Sequence, residues 1–260
     1  MISRLFARRR NAADTAPRRG RLAPGTRLYA IGDVHGRLDL LKQIQDLVGN
    51  DMARSPAERV VVVYLGDYID RGMESRQVVD WLIERPMPAT QTVHLMGNHE
   101  QSLLRFLGDV TIGPSWMQYG GRETLHSYGV VLDRTISSMT DRLRKAQSEL
   151  QRRLPAPHRD FMETLGPWYV EGDYLFVHAG LRPGIKLEDQ RLADLLWIRE
   201  EFLESPADHG HIVVHGHTIT EAPETLPNRI GIDTGAFMSG RLTCLVLHGD
   251  QRTFLQTGPA

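Results

Sequence analysis

Five short strings hold most of the side chains able to do chemistry: Gly32-Asp33-Val34-His35-Gly36, Gly66-Asp67-Tyr68-Ile69-Asp70-Arg71-Gly72, Gly97-Asn98-His99-Glu100, His178-Ala179-Gly180 and His215-Gly216-His217-Thr218. Together they offer Asp, His, Asp, Asn, His and His, an oxygen and imidazole donor set without thiolate. Such donors suit Mn²⁺, Fe or Zn²⁺ and not soft-metal or iron–sulfur chemistry. A carboxylate shared by two ions would hold them about 3.5–4 Å apart, the spacing used in two-metal hydrolysis. Glycines beside the polar residues permit tight turns and close approach of backbone to a ligand. Taken singly, each string has a plainer reading. Asp33-Val34-His35-Gly36 alone is a turn, Asn98 alone a helix cap, His178 or His217 a hydrogen-bonded core histidine, and Arg71 a surface charge. It is their joint occurrence that points to one site.

The elements that must position these strings are legible around them. Leu28–Ile31, Val60–Leu65, Thr92–Met96, Tyr174–Val177 and Ile212–Val214 read as strands, and each runs into one of the polar strings. In open α/β sheets, ligands gather beyond the carboxyl ends of strands. Helical spacing follows at Leu40, Leu41, Ile44, Leu47 and Val48, with Gly49-Asn50 as a stop, and again at Val78, Val79, Leu82 and Ile83, with Ser75 as N-cap. Glu100–Leu107 reads as a short helix. Ile230–Ile232, Leu242–Leu247 and Thr253–Gln256 supply later strands. Residues 108–165 lack strand–helix alternation and contain an amphipathic helix near Met139–Leu154 and another from Pro157. They read as a mainly helical insertion beside an α/β core of layered sheet flanked by helices.

Composition narrows the class further. A chain of 260 residues suits one domain over residues 26–260, long enough to bury a large core. The net charge of -1 gives no general reason to expect nucleic acid as partner. The longest apolar run, Val60–Leu65, is far short of the roughly 20 residues that span a membrane. A lone cysteine, Cys244, leaves no internal disulfide and fits a reducing cytoplasm. Residues 1–25 carry seven arginines with no apolar stretch after them, so they read as a disordered basic tail and not a signal peptide.

The three strings at Gly32–Gly36, Gly66–Gly72 and Gly97–Glu100 resemble the signature motifs of the phosphoprotein phosphatase family of calcineurin-like metallophosphoesterases, and His178–Gly180 and Gly216–Thr218 resemble its later histidine motifs. Ile232–Ala236 and Gly240–Thr243 are similar to the C-terminal strands of its bacterial and phage-type members. The resemblance runs from about Arg27 to Leu247 and leaves out the tail and much of Val130–Leu165.

That resemblance implies a fold, an activity and a set of roles. Asp33, His35 and Asp67 would hold one divalent ion, with Asp67 bridging to a second held by Asn98, His178 and His217; Mn²⁺ ranks ahead of Fe and Zn²⁺. His215 and His217 lie two apart, where a strand gives both the same face; the family's ligand precedes Thr, which selects His217. A hydroxide shared by the ions would attack phosphorus directly. His99 would be the general acid, oriented by Asp70, with Arg71 and Arg199 on the phosphate and Arg182 as a further substrate contact. The implied substrate is a phosphoserine or phosphothreonine protein, with phosphotyrosine also open, and no dedicated regulatory subunit is expected. Alternatives sharing the fold are a diadenosine tetraphosphate hydrolase, a cyclic-nucleotide phosphodiesterase and a scaffold without catalysis. The string Asp70-Arg71-Gly72 favours the protein phosphatase branch, and the complete ligand set disfavours the scaffold.

Overall fold

A computed structural model of the chain describes residues 20–258. The strands are β1 (Thr26–Ile31), β2 (Arg59–Tyr64), β3 (Gln91–His94), β4 (Trp168–Glu171), β5 (Tyr174–Val177), β6 (Ile212–His215), β7 (Glu224–Thr225), β8 (Arg229–Gly231), β9 (Thr243–His248) and β10 (Gln251–Gln256). They form two five-stranded sheets, ordered β10-β9-β1-β2-β3 and β4-β5-β6-β8-β7. Within the first, β1, β2 and β3 run parallel, with Ile31 opposite Tyr64 and Tyr64 opposite His94. Within the second, β5, β6 and β8 are parallel. The α/β class is as the pattern of strands and helices implied.

The period of two along β1 and β2 builds the layers. Leu28, Ala30, Val61 and Val63 point to the other sheet, where they pack with Phe176, Val214 and Ile230. Their neighbours Tyr29, Ile31, Val62 and Tyr64 point to the helices. A strand covered on both faces has no place for polar residues, which explains the run of four valines in β2. On the far face of the second sheet, Leu175, Val177 and Val213 meet Leu195 and Phe202.

The helices on the first sheet are α1 (Leu38–Arg54), α2 (Ser75–Glu84) and α3 (Asn98–Gly108). Helix α1 runs through Gly49-Asn50, where a stop was expected, because just beyond them Asp51 accepts from Arg27 and Tyr29 and Met52 packs against the core. Ser75 is the first helical residue of α2, not its cap; its hydroxyl accepts the amide of Asp70 at 3.0 Å. Between Gly108 and Leu165 come α4 (Gly113–Gln118), α5 (Gly121–Ser127), α6 (Met139–Arg153) and α7 (Ala156–Glu163), and no strand. Trp116, Leu125, Leu143 and Met162 from this stretch join the same core cluster as Tyr29 and Ile31. The helical stretch is thus continuous with the core. Helices α8 (Leu192–Trp197), α9 (Glu200–Leu203) and α10 (Ala236–Ser239) complete the described elements.

The expected basic tail over residues 1–25 divides. Residues 1–19 lie outside the described residues. Residues 20–25 are seated on the body: the Arg21 amide donates to Asp173 at 2.9 Å, the Leu22 amide donates to the Gly249 carbonyl at 3.0 Å, and the Leu22 side chain is 2% exposed. Among the described residues no helix is long and apolar enough to cross a membrane. Because Leu22 belongs to the core between the sheets, Leu22→Ala should destabilise the fold by about 2–5 kcal/mol in a urea titration. A loss within measurement error would show that this segment is not part of the core.

Candidate metal centre

The site forms where six parallel strands end. Asp33 and His35 follow β1, Asp67 follows β2, and Asn98 and His99 open α3 just past β3. His178 follows β5, His217 lies two residues past β6, and Asp233 two residues past β8. Asp67 stands at the middle. Its Oδ2 lies 3.5 Å from His35 Nε2 and 3.7 Å from His99 Nε2, and its Oδ1 lies 3.5 Å from His178 Nε2. Two groups of donor atoms close enough to hold a metal ion result, one from His35, Asp67 and His99 and one from Asp67, His178 and His217. Asp67 belongs to both.

The backbone is bent hard to achieve this. Among the described residues the non-glycine positions with left-handed φ are His35 (47°), Asp67 (51°), Asp70 (71°), Arg71 (67°) and His217 (62°). Each is a residue singled out from the sequence. Such conformations persist only where the surroundings fix them, and they gather at functional sites. Two glycines are required by close approach: a Cβ on Gly97 would collide with Asp67 Oδ1, and one on Gly216 with Asp33 Oδ1.

Hydrogen bonds fix which face of each imidazole is offered. His35 Nδ1 lies 2.9 Å from the Ile69 carbonyl and His178 Nδ1 2.9 Å from the Leu65 carbonyl. A carbonyl can only accept, so Nδ1 carries the proton and Nε2 presents a lone pair, the arrangement usual for metal-binding histidines. Burial lowers the pKa of both rings, and takes His217 down to about 2, so all three stay neutral. His178 Nε2 then faces Asn98 Oδ1 at 2.9 Å, two acceptors aimed at one point.

The acids are crowded. Burial, Asp233 and Asp67 raise the pKa of Asp33. Burial is also the main cause that takes Asp233 up to about 6. Asp33 Oδ1 and His217 Nε2 are buried without a hydrogen-bond partner. Buried anions and orphaned acceptors in one pocket call for cationic charge. The donor set therefore fits divalent metal, with oxygen and nitrogen ligands and a carboxylate common to both halves.

The other residues singled out from the sequence have partners of their own, and Arg182 alone among them pairs with carboxylates outside that set. His99 Nδ1 is 2.6 Å from Asp70 Oδ2. Burial opposes a charge on His99, but Asp67 and Asp70 outweigh it and hold the ring up to about 9. The Arg71 guanidinium lies 4.5 Å over the Phe237 ring, and Arg199 donates to the Thr218 hydroxyl at 3.1 Å. Arg182 donates to both Asp194 carboxylate oxygens at 2.7 and 3.1 Å and reaches Glu201, so its charge is matched within the protein. His215 stays outside both donor groups; it packs edge-on to Phe202 with centroids 5.1 Å apart. The face-sharing of alternate strand residues ends at His215 because the strand ends there and the chain turns at His217.

Four contributors escaped the sequence reading. Glu100 accepts the amides of Asp67, Tyr68, Ile69 and Gly97 at 2.8–3.3 Å and so holds the turn that carries Asp67. Trp116 Nε1 donates to Asp70 Oδ2 at 2.8 Å, and the Thr124 hydroxyl lies 2.6 Å from Asp70 Oδ1 while accepting the Asp70 amide. Asp233 obeys the same strand-end rule as the others and was visible in principle, within Ile232–Ala236. Nothing in the sequence marked Trp116 or Thr124.

Residues 26–236 match the calcineurin-like phosphoesterase family. The chain belongs to that family. It is 26% identical over 236 residues to a bis(5'-nucleosyl)-tetraphosphatase PrpE of Anoxybacillus flavithermus, covering 83% of this chain and 88% of that protein. It is 25% identical over 222 residues to serine/threonine-protein phosphatase 2 of Salmonella typhimurium, covering 83% and 90%. A cold-active protein tyrosine phosphatase of known structure superposes with a TM-score of 0.56 at 17% identity, covering 90% and 81%. Relatives under different substrate names match the same body of the chain, so Asp70-Arg71-Gly72 does not by itself assign the substrate.

If Asp67 is common to two ions, Asp67→Asn should lower the content of both after chelation and reloading with Mn²⁺. His217→Ala should lose about one ion per chain while His215→Ala keeps both. Elemental analysis reads the count, and a reversed histidine result would overturn the assignment.

Proposed function

We propose that this chain is a metal-dependent phosphomonoesterase acting on phosphoserine and phosphothreonine side chains of proteins. The observation that carries the choice is the anchored pair of His99 and Asp70. Asp70 is fully buried and its two oxygens are held by Trp116, Thr124 and His99. An imidazole fixed so firmly matters most when the leaving oxygen is a strong base. A serine or threonine alkoxide is such a group, whereas the phosphate chain leaving a dinucleoside tetraphosphate is already a stabilised anion. Phosphotyrosine, with a phenolate leaving group, stands between them.

In this reading Asp33, His35 and Asp67 hold one ion and Asp67, Asn98, His178 and His217 the other, with Mn²⁺ ahead of Fe and Zn²⁺. Divalent ions there supply a water of lowered pKa and offset charge on the phosphoryl oxygens. Arg71, braced on Phe237, and Arg199, held by Thr218, bind those oxygens and orient phosphorus for in-line attack. His99 Nε2 delivers its proton to the departing oxygen, while Asp70 fixes the ring through Nδ1. No covalent phosphoenzyme is required. The reading places the protein in the cytoplasm, where Cys244 stays reduced and buried, and gives it no dedicated regulatory subunit.

A second reading, hydrolysis of diadenosine tetraphosphate, is favoured by one feature: an open cavity of about 890 Å³ lies beside Arg71, roomy enough for a nucleoside. It shares the metal half of the mechanism and makes less use of His99.

Leaving-group dependence separates the roles. His99→Asn should slow a phosphoserine peptide about 10²–10⁴-fold and p-nitrophenyl phosphate far less, with metal content unchanged. Thr124→Val should show the same bias in milder form. Loss of one ion in His99→Asn would move His99 into the ligand set, as its place beside His35 and Asp67 permits. Intact phosphopeptides alongside rapid cleavage of diadenosine tetraphosphate would reverse the choice of substrate.

A further inference from the structure

Two cavities meet on the helical side of the site. The first, of about 890 Å³, has Arg71 and Phe237 at its inner end and Met117, Tyr119, Arg122 and Met139 along its wall. The second, of about 540 Å³, shares Arg122 and Met139 with the first and adds Arg134 and Arg142 against an apolar surface that includes Leu125 and Val131. The chambers are therefore neighbours, joined at Arg122 and Met139.

Their charges are unbalanced. Among the described residues, none of Arg71, Arg122, Arg134 and Arg142 has a carboxylate within salt-bridge reach. Arg142 gives Nε to the Ile136 carbonyl and Nη2 to the Arg134 carbonyl, which points the helix-borne side chain back along this wall. Glu123 lines the first chamber, but no acid lines the second, which has His126 besides its three arginines. Guanidinium groups are the side chains best suited to carboxylates and phosphates, and a cleft with apolar walls strengthens the field they set up.

We propose that the second chamber is a subsite for acidic residues flanking the phosphorylated side chain, so that the preferred substrate is an acidic phosphopeptide. The inference rests on the phosphoprotein reading above. The phosphoryl group is taken by the metal centre with Arg71. The peptide then passes the apolar stretch of Tyr119, Met117 and Met139 and places a carboxylate or second phosphate against Arg122 and Arg134. The apolar walls favour a peptide over a free inorganic anion, since they bury side-chain carbon between the two charged ends.

The test uses the full chain with Mn²⁺ and phosphoserine peptides identical except for their flanks: glutamines on both sides, glutamates before, or glutamates after. One glutamate peptide should have a kcat/KM about tenfold above the glutamine peptide at low salt, the size of a good charge-assisted contact. That ratio should shrink as salt screens the contact. Arg122→Gln should bring the ratio close to one, Arg134→Gln should lower it, and Arg122→Lys should keep part of it. Using the ratio removes any general loss of activity in a variant. Equal turnover of all three peptides, or a ratio indifferent to Arg122 and Arg134, overturns the proposal and leaves the phosphatase reading intact. Hydrolysis of p-nitrophenyl phosphate without turnover of any peptide sinks the phosphoprotein reading itself. If Arg122→Gln instead slows only diadenosine tetraphosphate, the chamber serves a nucleotide's phosphate chain and the proposal fails.

Discussion

Asp67 is an anion surrounded by histidines at the edge of an apolar double sheet, and much of the surrounding structure follows from holding it there. His35, His178, His99 and His217 all lower its pKa against the burial that opposes its charge. Asp33 and Asp233 add two more acids to the same pocket. Such a cluster is unfavourable without added positive charge. Arg71 supplies part of it, lowering the pKa of both Asp33 and Asp233. The rest is the demand that a pair of divalent ions would meet. The left-handed turn at Asp67 is in turn secured by Glu100, whose carboxylate collects four amides from the chain on either side. Burial and Asp67 push the Glu100 pKa up, while the amides of Tyr68 and Ile69 push it down. Strain at the centre is thus carried by hydrogen bonds one layer further out.

The helices between Gly108 and Leu165 have a second structural consequence. They give Asp70 two of its three side-chain donors, Trp116 and Thr124, and the Gly120 carbonyl accepts the Arg71 amide at 3.3 Å. A Cβ at Gly120 would meet the Arg71 backbone, so the two turns are packed backbone to backbone. The same helices form the wall of the cavity that begins at Arg71. A change in α4 or α5 therefore reaches both the shape offered to substrate and the orientation of His99. The metal half of the site is built on strand ends, with Asn98 opening α3, which packs on α4, α6 and α7.

This division explains what could be read from the sequence. The strand-end strings were legible because a parallel strand needs an apolar run, and the polar residue after it has nowhere to go but the edge of the sheet. Val60–Leu65 followed by Gly66-Asp67 is the clearest case. Asp233 follows the same rule and was overlooked because it carries no histidine beside it. Gly49 did not end α1, since the contacts of Asp51 and Met52 in the turn after it outweigh a glycine's cost of about 1 kcal/mol. Strands β4 and β7 were missed as short edge strands, which take their order from their neighbours. Trp116 and Thr124 were beyond reach, because their part is defined by a partner 46 and 54 residues away. The carboxylate partners of Arg182 were equally out of reach, since Asp194 and Glu201 lie on helices whose placement the sequence does not state.

Fold and metal ligands alone cannot assign a substrate, since one scaffold serves many reactions. Here the relatives bear that out, with tetraphosphatase and protein phosphatase names attached to chains 26% and 25% identical to this one. Both reactions place a phosphoryl group in the same metal half and differ in what departs and in what lies beyond the phosphate. On the proposed reading, what departs would be the concern of His99 and its Asp70 clamp. What lies beyond the phosphate would then meet Tyr119, Arg122 and the chamber past Met139. The second difference falls on the helical segment that the strand-end motifs leave undescribed, and the first reaches that segment through Trp116 and Thr124, which hold Asp70. On the proposed reading, substrate choice would be sought in α4, α5 and the turn leading to α6, where Arg122 and Arg134 lie outside the metal-binding strings while Trp116 and Thr124 still tie the same segment to Asp70.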